Sequence, residues 1–165
     1  MSTPLRVSFV CTGNICRSPM GEVVLRQLVA EAGLADRIEV SSRGTQGWHE
    51  GKPADPRTVV ALAERGYDGS AHRAAQLTDA DIADHDVLIA LARDHEEVLL
   101  DRGADPARVA LFTAFDPERP ADPDVFDPYY TDQAAFDEVL AQVERGAAVL
   151  LDELRSRIAP PHPRP

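Results

Sequence analysis

Between Leu5 and Ser18 the chain reads LRVSFVCTGNICRS, and this stretch restricts the fold more than any other. Its first half is a strand: Val7, Phe9 and Cys11 alternate with Arg6, Ser8 and Val10, and β-branched and aromatic residues are frequent. Its end starts a helix. Ser18 is a good N-cap, Pro19 fits the first helical position, and Glu22 falls in the first turn facing the positive helix end. A strand that passes through a short loop into a helix brings backbone N–H groups and the helix N-terminus to one spot, which suits an anion. Cys11 and Arg17 stand at the two ends of that loop.

Those residue types carry chemistry. The loop donors, the helix N-terminus and Arg17 all favour the thiolate form of Cys11. A thiolate ringed by phosphate-binding donors can attack phosphorus and form a phosphocysteine. Arg17 offers a planar fork to two phosphoryl oxygens and can follow them into the transition state. Ser18 can donate its hydroxyl to the Cys11 sulfur, Gly13 can take a positive φ if the loop needs one, and the Asn14 amide can pin the loop from inside. Taken alone, Cys11 reads as a small buried hydrophobe and Arg17 as a surface charge. The strand before, the capped helix after and the Gly-Asn between them reverse that reading. The Gly-Lys-Ser/Thr pattern of nucleotide triphosphate loops is absent.

At 165 residues the chain has the size of one domain, expected over 1–158, with a flexible proline-rich tail over 159–165. A formal charge of −11 argues against nucleic acid or an anionic membrane as the main partner. It also requires the anion site to be a local positive pocket on a negative molecule. Both cysteines, Cys11 and Cys16, lie in the same loop, so they staple no distant segments and form no metal set. This fits a reducing cytoplasm. No apolar stretch has the length of a signal or a membrane span.

Along the chain, 19–32 reads as an amphipathic helix with Met20, Val23, Val24 and Leu28 on one face and Gly33 as its C-cap. Strands are expected at 37–42, 87–92 and 109–112, the last two buried. Helices are expected at 56–65, capped by Asp55 and turning Val59, Val60 and Leu62 inward, then at 78–83, 94–102 and 133–158. The alternation gives an α/β three-layer fold: a central parallel sheet of about four strands, helices on both faces, and the anion loop at the carboxyl end of the first strand. The segment 113–131 holds Pro117, Pro120, Pro123 and Pro128, and a loop that long is expected to be functional.

VCTGNICRSPMGE resembles the active-site signature of the low-molecular-weight protein tyrosine phosphatases, and the resemblance covers roughly Leu5 to Ile158. It implies a phosphate-binding loop of Thr12, Gly13, Asn14, Ile15, Cys16, Arg17 and Ser18 around the nucleophile Cys11. It implies no metal and no cofactor. The expected partners are phosphotyrosine-containing proteins, with phosphate or a similar oxyanion in the site, and the expected state is a monomer or weak dimer. Asp127 in DVFDPYY reads locally as a turn-forming acid before proline; the resemblance makes it the general acid that protonates a tyrosine leaving group and then the base on water. Trp48 is expected on one wall of the cleft and Tyr129 and Tyr130 on the other. Ser42 and His72 resemble the family's pair that holds the loop through Asn14 and Ser18, although His72 beside Arg73 also reads as a surface residue. Cys16 is either filler or, as in the family, a reversible disulfide partner for Cys11. Three positions depart from the family pattern: Ala92 where Asp is common, Phe126 where Pro is usual, and Thr131 where Gly is usual. Asp94 is the nearest acid that can compensate for Ala92.

Two other readings stand beside the tyrosine phosphatase. A protein-arginine phosphatase of the same fold usually carries Thr where this chain has Ile15. A non-catalytic phosphate-binding module needs no thiol, guanidinium, hydroxyl and acid together. Arsenate reductase is set aside because no cysteine follows Cys16.

Overall fold

The computed structural model describes residues 3–158, so the tail expected over 159–165 lies outside the described residues. Strand β1 (Leu5–Cys11) runs through the middle of a parallel sheet, between β2 (Ile38–Gly44) and β3 (Val87–Ala90), and β4 (Val109–Leu111) forms the edge beyond β3. Parallel neighbours need crossovers, and helices supply them. Helix α1 (Arg17–Glu31) leads from β1 to β2. Helices α2 (Pro56–Glu64) and α3 (Asp79–Asp84) lie between β2 and β3, α4 (Arg93–Asp101) between β3 and β4, and α5 (Gln133–Arg157) closes the chain. The register sets Val7 beside Val40 and Val87, and Cys11 beside Gly44 at the carboxyl edge.

The sheet is covered on both faces. Val7, Phe9 and Cys11 pack with Met20 and Val24 of α1 and with Phe136, Leu140, Val143 and Leu150 of α5. Val10, Leu88 and Ala90 pack on the other side with Ile82 of α3 and Leu99 of α4. The alternation expected for β1 therefore separates two buried faces rather than core from solvent; even Ser8 is fully buried. Gly21 lets α1 lie directly on β1, since a Cβ there would meet the Phe9 ring at 2.6 Å. Truncating fully buried Phe9 to alanine should cost about 3–5 kcal/mol through lost burial and the cavity left behind.

The cap expected for α2 holds: Asp55 accepts from Arg57 N–H, with Pro56 in the first turn. The helix expected to begin at Thr78 begins at Asp79, because Thr78 stands outside it as the cap, in a reciprocal box with Asp81. Other expectations do not hold. Helix α1 starts at Arg17, its N-cap is Cys16, and no side chain caps it. Ser18 lies inside the first turn because its hydroxyl is used within the site. Glu22 lies beyond that turn, paired with Arg26 at 2.6 Å and turned toward Ser42. In α2 the inward residues are Thr58, Ala61 and Leu62, while Val60 is exposed, because the Asp55 cap sets the phase of the helix. Strand β4 is only half-buried, as an edge strand should be. Among the described residues no helix is long and apolar enough to cross a membrane.

Candidate active site

The loop from Cys11 to Arg17 is held by its carbonyls, and the donors lie outside it. Cys11 C=O accepts from Thr45 N–H at 2.8 Å, Thr12 C=O from Gln46 N–H at 2.9 Å, and Ile15 C=O from Asp55 N–H at 2.9 Å. Asn14 C=O accepts from His72 Nε2–H at 2.7 Å, and Cys16 C=O from the Thr58 hydroxyl at 3.5 Å. In a trans peptide the N–H points opposite to the C=O of the same plane, and no peptide among the described residues is cis. Carbonyls drawn outward thus turn the N–H groups of Thr12, Gly13, Ile15, Cys16 and Arg17 inward. This arrangement suits an anion, offering it backbone donors without any side chain. The positive φ in the loop belongs to Asn14, at 58°, rather than to Gly13. Gly13 serves by its lack of a side chain, because a Cβ would meet His49 Cδ2 at 2.9 Å.

Behind the loop a buried polar chain fixes the sulfur's partner. Ala75 N–H donates to Asn14 Oδ1 at 2.9 Å, which leaves Asn14 Nδ2–H₂ to donate to Ser18 Oγ at 2.7 Å and to Ser42 Oγ at 2.9 Å. Ser42 in turn donates to Glu22. Ser18 Oγ, already an acceptor, lies 2.8 Å from Cys11 Sγ. His72 is buried with Nδ1 3.9 Å from Glu22, and burial pushes its pKa down. Asn14, Ser18, Ser42 and His72 therefore form one cluster, as expected. Both cysteines are free thiols, and burial, followed by the charge of Asp55, pushes the Cys16 thiol well above the ordinary range.

The segment carrying Asp127 is tied down before and after that residue. Upstream, Asp124 accepts from Arg93 N–H at 2.8 Å and from the Arg93 guanidinium at 3.2 Å, and Val125 N–H donates to Leu91 C=O at 2.8 Å. Asp124 thus caps α4 from outside the helix and occupies the role left vacant by Ala92, so Asp94 does not compensate there. Arg17 is buried, with Nη1 donating to Val125 C=O at 3.0 Å and Nη2 3.5 Å from Asp127 Oδ2. Asp127 Oδ1 accepts from Tyr129 N–H at 3.2 Å, and its side chain is 47% exposed, open to a substrate.

A cavity of about 280 Å³ brings these groups together. Cys11, Thr12, Gly13, Ile15, Cys16 and Arg17 form its floor, Asp127 borders it, and Trp48, Tyr129 and Tyr130 form its rim. Trp48 and Tyr130 are exposed, and Tyr130 stands edge-on to Tyr129 with ring centroids 4.8 Å apart. Sequence reasoning missed three contributors. His49 lines the cavity and packs at 6.3 Å from Tyr129; its place next to Trp48 was the available signal. His95 is buried, with Nε2 2.9 Å from Thr12 Oγ1 and no hydrogen-bond partner for Nδ1 among the described residues. Burial, then the charge of Arg17, pushes its pKa down to about 4. Arg57 reaches the carbonyls of Tyr129 and Thr131. No local pattern marks His95 or Arg57, because their partners lie 83 and 72–74 residues away.

A thiol at the end of a central parallel strand, above a loop of inward N–H groups and beside a buried guanidinium, defines a cysteine-headed phosphate site of the α/β class. A family model described as low molecular weight phosphotyrosine protein phosphatase matches residues 6–159. The chain belongs to this family. The low molecular weight protein-tyrosine phosphatase A of Mycobacterium tuberculosis is 44% identical over 160 residues, covering 96% of this chain and 97% of that protein. The crystal structure of YfkJ from Bacillus subtilis superposes with a TM-score of 0.89 at 31% identity, covering 96% of this chain and 99% of that one. Wzb of Vibrio vulnificus in complex with benzylphosphonate superposes with a TM-score of 0.77 at 28% identity, covering 90% and 98%.

Proposed function

We propose that this chain hydrolyses phosphotyrosine in proteins through a phosphocysteine intermediate. The observation that carries the reading is the convergence of Cys11, Arg17 and Asp127 on one cavity rimmed by Trp48, Tyr129 and Tyr130. The Cys11 thiolate attacks phosphorus in line, forming the S–P bond as the P–O bond to the phenol breaks. The loop N–H groups and the Arg17 guanidinium stabilise the charge on the equatorial oxygens. Asp127 gives its proton to the departing phenolate oxygen. It then takes a proton from water as that water attacks phosphorus, which breaks the S–P bond and releases phosphate and the Cys11 thiolate. The hydroxyl of Ser18 favours the sulfur as a leaving group in that second step.

Aromatic walls above a recessed floor select a long, flat aryl phosphate over a short serine phosphate. The benzylphosphonate held by Wzb has the same combination of aromatic ring and tetrahedral phosphorus. The reading extends to a cytoplasmic enzyme working as a monomer or weak dimer, with the described residues forming one phosphatase domain. A protein-arginine phosphatase is the alternative on the same scaffold; Ile15 borders the cavity with an apolar side chain and offers no hydroxyl to a guanidinium substrate.

Hydrolysis of phosphotyrosine, phosphoserine and phosphoarginine peptides, with Cys11→Ser as control, tests the proposal. Turnover of the first alone, lost in the variant, is expected. Preference for phosphoarginine, or turnover surviving in Cys11→Ser, would overturn it.

A further inference from the structure

We infer that Asp55 and Arg57 form a positioning pair that holds the Asp127 loop in register with the phosphate loop, an inference that rests on the phosphatase reading above. The pair touches both halves of the site and no part of the cavity itself. On one side Asp55 N–H donates to Ile15 C=O in the phosphate loop at 2.9 Å. On the other, Arg57 Nη2–H donates to Tyr129 C=O at 2.9 Å and Nη1–H to Thr131 C=O at 2.7 Å. The two residues are locked to each other: Asp55 Oδ1 accepts from Arg57 N–H at 2.9 Å and Nε–H at 3.0 Å, and Oδ2 accepts from Nη2–H at 2.9 Å. The guanidinium also lies 4.3 Å from the centroid of the Phe136 ring, at the start of α5. Although burial opposes it, hydrogen bonding from Arg57 holds Asp55 below the ordinary carboxylate range, so the pair stays ionised.

The geometry goes beyond generic stabilisation. Arg57 binds two backbone carbonyls, two and four residues past Asp127, and its guanidinium lies 5.9 Å from the centroid of the Tyr129 ring, so it fixes where the chain runs. Tyr129, the residue it grips, donates its N–H to Asp127 Oδ1 at 3.2 Å. Upstream the segment is anchored to α4 by Asp124 and Arg93. Without Arg57, the chain between Asp127 and the start of α5 loses the two hydrogen bonds that tie Tyr129 and Thr131 to α2. A general acid displaced by about an ångström loses much of its effect. The planar fork of arginine suits this task, because its donors diverge at fixed angles to meet two carbonyls at once.

The test uses Arg57→Met, which keeps an apolar stem over Phe136, and Arg57→Lys, which keeps the charge. For wild type, both variants and Asp127→Asn, kcat/KM is measured on aryl phosphates of increasing leaving-group pKa, together with vanadate affinity and melting temperature. Either variant that melts as a folded protein decides the matter. The expected result is a steeper dependence on leaving-group pKa than wild type, in the direction of Asp127→Asn. Loss should be roughly 10-fold larger on phenyl phosphate than on p-nitrophenyl phosphate. Vanadate affinity should stay within about two-fold of wild type, because the phosphate loop keeps its own contacts. An unchanged slope, whether or not the overall rate falls, would overturn the inference and leave the phosphatase reading intact. Absence of aryl phosphate hydrolysis in the wild type would instead remove the reading on which it rests.

Discussion

Cys11 Sγ lies 2.8 Å from Ser18 Oγ, and the Asn14 amide behind them orients the Ser18 hydroxyl. Ala75 N–H can only donate, so it meets Asn14 Oδ1 and turns the Asn14 amide N–H₂ toward Ser18. Ser18 Oγ accepts that bond, which leaves its own proton free to donate to the sulfur when Cys11 is a thiolate, a form that can only accept. The chain of donors then ends on Cys11.

Ser18→Ala removes the last donor. A hydrogen bond to a charged group contributes about 1.5–3 kcal/mol, so kcat should fall roughly 10- to 100-fold. Breakdown of the phosphocysteine should suffer most, since the sulfur is then the leaving group. Burst kinetics on p-nitrophenyl phosphate would separate the steps. Equal slowing of formation and breakdown would show that Ser18 acts through loop packing instead.

How much of this was legible in the sequence depends on the distance over which each contact acts. The strand, loop and helix from Leu5 to Glu31 are local, and the order of apolar runs made the parallel sheet readable. Ser18 was misassigned as a cap because a hydroxyl near a helix start has two possible employers, and here the sulfur and Asn14 take it. Asp124 accepts from Arg93 N–H across 31 residues, where an acid at position 92 would cap α4, and no pattern near either position announces that. The reading of Asp127 as the acid rests on the Asp-Pro-Tyr-Tyr run; the Arg57 hydrogen bonds to Tyr129 and Thr131 C=O have no such signature. The phase of α2 was misjudged at Val60 because hydrophobicity alone outweighed the buried Thr58, whose hydroxyl reaches Cys16 C=O.

Arg17→Lys should be nearly as damaging as Arg17→Ala. Arg17 donates from Nη1 to Val125 C=O and faces Asp127 with Nη2, which leaves its other N–H groups for the phosphoryl oxygens of the proposed substrate. An ammonium on a flexible stem cannot hold the loop carbonyl and the phosphate together. The check is kcat/KM for both variants. A lysine variant within a few-fold of wild type, on the order of 1 kcal/mol or less, would show that a point charge suffices.

Asp127→Asn should cost roughly 10²–10⁴-fold on phosphotyrosine, less on phosphates of acidic phenols. The neighbouring acids are differently placed. Hydrogen bonds from Arg93 hold Asp124 below the ordinary carboxylate range. Asp116 is buried, and hydrogen bonds from Arg145 outweigh burial to hold it low as well. Both are engaged by arginines, and neither lines the cavity that Asp127 borders. Asp122 accepts from Asp124 N–H, and Asp132 caps α5. Asparagine at Asp116, Asp122 or Asp132 should leave the leaving-group dependence as in wild type, whereas Asp124→Asn, which weakens the upstream anchor to Arg93, should steepen it by less than Asp127→Asn does. A dependence as steep as that of Asp127→Asn appearing in Asp116→Asn, Asp122→Asn or Asp132→Asn would move the acid role away from Asp127.

Acid should weaken the fold through His95 before it protonates the carboxylates. The imidazole is pushed down to about 4 by burial and then by Arg17, whereas in the unfolded chain it titrates near the ordinary 6.5. Below pH 6.5 the unfolded chain therefore binds a proton that the folded chain refuses. Stability falls as the pH drops through that range, and the loss levels off below about 4. The full gap is worth about 3 kcal/mol. His72, pushed down by burial, adds to the slope in the same direction. Asp116 and Asp124, held low in the folded state, contribute their losses only as the pH falls below the ordinary carboxylate value. In His95→Gln the amide nitrogen can take the place of Nε2 against Thr12 without titrating. Urea midpoints at pH 7 and pH 4.5 should therefore drop further in wild type than in this variant. Equal drops would mean that His95 takes up its proton in the folded protein, and that the buried contact with Thr12 tolerates the charge.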